Sequence, residues 1–129
     1  MIPAALLAAT LVVAVAADSR DNAIDGANLS APQKSAATQP FVRSATDCIA
    51  RTVIADPRYG KNRAAEFAGG ELGDLIVASM PACVTPVRAM IDAYDRYYGD
   101  GSGEAFFMGP YLDVLPRAIL AAGKKAAAP

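Results

Sequence analysis

The chain has 129 residues, room for one domain, with 12 Lys and Arg against 13 Asp and Glu and no histidine. Near-neutral charge argues against a nucleic-acid binder, which needs a basic face or stripe, and against a basic amphipathic helix lying on anionic lipid. Without histidine there is no Ser–His–Asp or Cys–His nucleophile and no histidine-ligated zinc or copper, so acid–base chemistry would fall to carboxylates, Tyr, Lys or Cys with displaced pKa values.

Met1 to Ala17 carries no charged side chain, and from Ala4 onward it is almost wholly apolar. Ala14-Val15-Ala16 supplies small residues at the spacing a signal peptidase reads, so cleavage before Ala17 or Asp18 is expected. The apolar run falls short of the roughly 20 residues that span a bilayer. No Lys or Arg precedes it, so either the amino terminus supplies the positive charge or the true start lies elsewhere. The alternative is a buried N-terminal helix. From Asp18 to Pro40 polar residues and alanine predominate, and Ile24 and Leu29 stand isolated. Such a stretch buries too little surface to offset its ordering entropy, which predicts a disordered linker over 18–40.

An alanine-rich composition with Leu, Ile, Val and Met favours helix, and the expected fold is all-α: about five short helices over 41–123. Phe41, Ala45, Cys48, Ile49 and Thr52 recur at helical spacing and predict a first helix over Phe41–Ala55, broken at Asp56-Pro57. A second is expected over Asn62–Phe67, ended by Gly69-Gly70. Leu72, Leu75, Ile76 and Ser79 share one side of a third, Glu71–Met80, stopped by Pro81. Thr85 and Pro86 have the chemistry of an N-cap and a first helical position; Val87, Met90, Ile91, Tyr94 and Tyr98 follow the period, and Gly99 suits a C-cap. After a flexible turn over Gly99–Gly103, a last helix is expected over Pro110–Ala122, kinked or restarted at Pro116, with a frayed tail over 124–129.

Two cysteines in an exported chain pair by default. A Cys48–Cys83 disulfide would staple the first and fourth helices, and closing a loop of about 35 residues contributes roughly 3–4 kcal/mol. The separation is unlike a C-x-x-C redox motif.

Among candidate sites, Gly99-Asp100-Gly101-Ser102-Gly103-Glu104 lacks the Gly-Lys-Ser/Thr ending of a phosphate loop. Counted from Asp100, it has Ala105 and Tyr111 where a calcium loop needs glycine and glutamate. A plain turn is the better reading. Aromatic residues cluster on either side of it: Tyr94, Tyr97 and Tyr98 before, Phe106, Phe107 and Tyr111 after. If Tyr97 and Phe107 are exposed, then with Arg96 and Asp100 they form an interaction surface, since aromatics and Arg are enriched at interfaces. The better reading places Tyr94, Tyr98, Phe106 and Tyr111 in the core. Asp92/Asp95 and Glu71/Asp74 are carboxylate pairs at helical spacing. They could serve acid–base chemistry if burial separated their pKa values, and are otherwise a solvated face.

Met80-Pro81-Ala82-Cys83 and Phe106-Phe107-Met108-Gly109-Pro110-Tyr111-Leu112, within Glu71–Leu120, resemble small exported proteins of alphaproteobacteria that have no assigned function. The resemblance implies a periplasmic or secreted location and no catalytic residues. A looser similarity, in size, helicity and a single disulfide, is to periplasmic acid-stress chaperones. The expected function is therefore a non-enzymatic binding module with a protein partner, no cofactor, no nucleic acid and no stable membrane anchor once the leader is removed. A holdase-type chaperone and a small carboxylate- or tyrosine-dependent enzyme are the alternatives.

Overall fold

The computed structural model describes residues 28–62 and 70–127. The predicted leader, residues 18–27 of the predicted linker and residues 63–67 of the predicted second helix lie outside the described residues. What is described is all-α with no strand, in four helical stretches where about five short helices were expected.

Helix α1 (Ala31–Ala55) starts ten residues before the predicted Phe41. Ser30 and Gln33 form a reciprocal capping box: the Ser30 hydroxyl accepts from the Gln33 N–H (3.3 Å) and Gln33 Oε1 accepts from the Ser30 N–H (2.8 Å). Pro32 sits in the first turn, where a missing N–H costs nothing. Residues 31–40 are thus helix and not linker, because local capping and alanine propensity outweigh polar composition. Pro40 lies within α1 with its ring on the exposed side. Nearby Thr38 is buried, and its hydroxyl donates to the Lys34 carbonyl at 3.0 Å.

Asp56 is extended before Pro57 and ends α1, as the sequence predicted. Its carboxylate accepts from the Arg58 N–H (2.9 Å) and from the Arg58 guanidinium (3.1 and 2.9 Å) at the start of α2 (Pro57–Asn62). These bonds hold the Asp56 carboxyl at a pKa of about 2. Tyr59 of this short helix is buried.

Helix α3 (Glu71–Tyr98) is one continuous helical stretch, where two helices separated by Pro81 were expected. Glu71 and Asp74 sit in its first turn, favourable to the helix dipole. Pro81 narrows the helix to a 3₁₀ segment, Met80–Cys83, and α-helix resumes at Val84. Proline withdraws one donor, and a tighter turn accommodates that without ending the run. Cys83, not Thr85, occupies the cap position, and Thr85 is already helical. Leu72, Leu75, Ile76 and Ser79 are buried on one side as predicted.

The turn is shorter than expected. Gly99 (φ 110°) closes α3 and Gly101 (φ 89°) reverses the chain, both in the region that favours glycine. Helix α4 (Ser102–Ala127) begins at once, eight residues before the predicted Pro110. It passes through a π-helical turn at Phe107–Tyr111, where Pro110 lacks its donor, and continues past Pro116. Residues 124–127, predicted to fray, are helical; Lys124 and Lys125 complement the dipole in the last turn.

Helix α1 is the central element. Helix α3 runs antiparallel along it: Lys34 stands over the Tyr98 ring, Thr38 lies beside Tyr94, and Cys48 and Thr52 meet Cys83. Helix α4 lies against the second half of α1, with Tyr111 bonded to Thr46. The core is led by Ile49, Val53, Met90, Tyr111, Leu115 and Ile119. The predicted Cys48–Cys83 disulfide is formed, with Cα atoms 5.9 Å apart, and ties the middle of α1 to the 3₁₀ segment of α3. By length and composition α3 and α4 are also apolar enough to cross a bilayer; here both fold against α1.

Candidate interaction surface

The α3–α4 hairpin is set by two close contacts. Gly103 packs on the Ile91 backbone, and a Cβ there would collide with the Ile91 carbonyl oxygen. Its N–H donates to Asp95 Oδ1 (2.8 Å), so Asp95 caps the start of α4 from the neighbouring helix. This juxtaposition stacks the aromatics into a ladder. Tyr94 lies on Phe106 (centroids 4.0 Å, planes 9° apart) and on Tyr98 (5.1 Å), while Phe106 and Phe107 meet Tyr111 at 5.6 and 5.8 Å.

The ladder grades from core to surface. Tyr111 is fully buried, and Tyr94, Phe106 and Phe107 are half-buried. Thr46 donates its one hydroxyl proton to the Val42 carbonyl (2.7 Å), so Tyr111 is the donor in the 2.9 Å bond between their oxygens. Burial pushes the Tyr94 and Tyr111 hydroxyl pKa values up. Both stay protonated at neutral pH, and Tyr111 donates to Thr46. Tyr98, expected in the core stripe, is instead 42% exposed.

Of the four residues proposed from sequence, Arg96 and Asp100 are exposed and Tyr97 is half-buried, all at the end of α3 and in the turn. Phe107 lies farther along α4, half-buried against Tyr111 and the core. The first three stand within five residues at the end of α3 and in the turn, and Phe107 belongs to the ladder.

Sequence reasoning missed the larger apolar exposure. Val77 is 70% exposed, Val84 48%, Met108 63% and Val114 57%. The signal was present: no charged residue falls between Asp74 and Arg88, nor between Glu104 and Asp113. A helix apolar all round cannot bury every face against one neighbour.

The carboxylate pairs do not converge on a catalytic arrangement. Asp95 is engaged with the Gly103 N–H. Asp92 borders a shallow hollow of about 560 Å³ lined by Met80, Val84, Val87, Arg88 and Ile91, and Arg96 does not line it. Glu71 and Asp74 are solvent-exposed. Among the described residues no three Asp, Glu or Cys side chains could hold a metal ion, and every buried side-chain nitrogen or oxygen has a hydrogen-bond partner. No family model matches this chain, and neither does any curated protein or solved structure.

Proposed function

We propose that this protein is a non-enzymatic interaction module of an exported compartment, which docks other protein surfaces on the outer faces of α3 and α4. One observation carries the reading. Val77, Val84, Tyr98, Met108 and Val114 stand exposed on the same two helices that supply much of the core. Large apolar side chains grouped on a surface are characteristic of sites that bind other macromolecules. Tyr97, Tyr98 and Arg96 at the hairpin end add the residue types that anchor interfaces.

The Cys48–Cys83 disulfide supports the compartment, since such bonds persist where the environment is oxidising. The uncharged stretch that opens the chain supports it too. The half of the surface around Tyr98 is stiffened by the ring ladder and by the Lys34 ammonium 5.5 Å from the Tyr98 ring centre. A rigid aromatic anchor loses little side-chain entropy on binding.

The test is photo-cross-linking in the producing cell, with a photoreactive residue placed at Tyr98 or Met108 and, as a control, at exposed Arg43 of α1. Discrete adducts from the first two positions and none from Arg43 are expected; adducts equal at all three, or none, would contradict the reading. Dye binding on acidification separates the chaperone alternative. A holdase would gain apolar exposure steeply at low pH, whereas a docking module already exposes its surface at neutral pH.

A further inference from the structure

We propose that the outward face of α3 pairs with the same face of a second copy of this chain, antiparallel, about a two-fold axis passing beside Pro81. The proposal rests on the interaction reading above and names the partner for one of its two apolar helices.

The face is defined by what the core leaves over. Leu75, Ile76, Ser79, Cys83 and Val87 are buried, while Asp74, Ala78, Pro81, Val84 and Arg88 are exposed along the opposite side. Everything between Asp74 and Arg88 is uncharged. Asp74 and Arg88 each lie seven residues from Pro81, at opposite ends of the uncharged stretch. At 1.5 Å of rise per α-helical residue and about 2 Å through the 3₁₀ turn, that is about 10–12 Å to either side.

This pattern is self-complementary in one orientation. An antiparallel two-fold pair centred at Pro81 brings each Asp74 level with the other copy's Arg88, giving two opposite-charge pairs at the ends of an apolar contact. A parallel pair in register would set Asp74 against Asp74 and Arg88 against Arg88, which repel. A foreign partner requires no such symmetry, whereas an isologous dimer interface does. Rim charges of this kind fix register and orientation more than they add affinity.

Shape agrees with charge. In the same register Val77, the most exposed large apolar side chain, comes level with the other copy's Thr85. There it faces the hollow lined by Met80, Val84, Val87, Arg88, Ile91 and Asp92. By symmetry each copy supplies one Val77 and receives one. Ala78, Pro81 and Ala82 between them are small enough to let the two helices approach closely.

Sedimentation equilibrium on the oxidised chain, as recovered from the cell, tests this. The wild type is expected to be a dimer that weakens with added salt. Val84→Asp is expected to be monomeric, with its helical circular dichroism and its disulfide intact. Arg88→Asp and Asp74→Arg should each weaken the dimer at least tenfold, and the double exchange D74R/R88D should restore it. Arg58 of the same chain also acts on Asp74, so Arg88 is the cleaner single change. A wild type still monomeric at about 100 μM would overturn the proposal. So would a dimer indifferent to Val84→Asp, or charge variants that each weaken the dimer without recovery in the double exchange. A monomer that still gives discrete adducts with other proteins at Tyr98 would remove self-pairing and leave the interaction reading standing; loss of both would remove both.

Discussion

Gly103 and Gly73 are both helical glycines, yet their surroundings are opposite. A Cβ on Gly103 would strike the Ile91 carbonyl and side chain, whereas a Cβ on Gly73 meets nothing within 4 Å. Gly103→Ala should therefore force α3 and α4 apart and cost about 1–3 kcal/mol. Gly73→Ala should raise stability by about 0.5–1 kcal/mol through helix propensity. Urea denaturation of the two variants beside wild type checks the sign of each. The sequence placed Gly103 in a flexible turn; nothing in Gly-Ser-Gly tells a turn glycine from a packing one, because the contact is made with a residue twelve positions away. Titration belongs to this scale too. Tyr94 and Tyr111 hold their protons more tightly folded than unfolded, because burial raises their pKa above the ordinary 10.0. Their contribution is fully present below pH 10 and is lost as pH rises through the folded values. Tyrosinate absorbance should show two residues ionising late, with unfolding stability declining over the same alkaline range. Tyr111→Phe should remove part of that decline.

Helix ends decided most differences between expectation and structure. Ser30-Ala31-Pro32-Gln33 is a legible capping box, but it stands in a polar segment whose composition reads as disorder. The reciprocal pair of hydrogen bonds acts together with alanine propensity and with Thr38 and Lys34, beyond it, which find Tyr94 and Tyr98 to pack on. Ser30→Ala should cost about 1 kcal/mol and increase amide exchange over the first turns of α1 specifically, which hydrogen-exchange mass spectrometry resolves. Pro81 was read as a stop and proved to be a 3₁₀ join, since the Met80 N–H takes the Val77 carbonyl and the tighter turn leads into α-helix at Val84. The Asp56-Pro57 break and the Gly99 cap were readable outright, because both are dictated by backbone sterics and not by distant contacts.

At the scale of the whole molecule, three long helices among the described residues share one modest core, and the disulfide fixes how α1 and α3 meet. Replacing Cys48 and Cys83 together by Ala should lower unfolding stability by roughly 3 kcal/mol, and wild type with a reductant should match the variant in the same denaturation experiment. The all-α class and the cysteine pairing were legible because composition and cysteine count constrain them directly. The candidate surface was legible only in part. Arg96, Tyr97 and Asp100 stood out as residue types near a turn, whereas Val77, Val84, Met108 and Val114 pass for core residues until the structure shows which face of each helix α1 leaves uncovered. The central claim is that other protein surfaces cover these faces in the working state. Native mass spectrometry of the protein recovered from the exported fraction tests it most directly. The account predicts an oxidised chain, lighter by two hydrogens than the reduced form and beginning at Ala17 or Asp18, held in a complex with itself or another polypeptide. A reduced, full-length chain found alone at every concentration would contradict it.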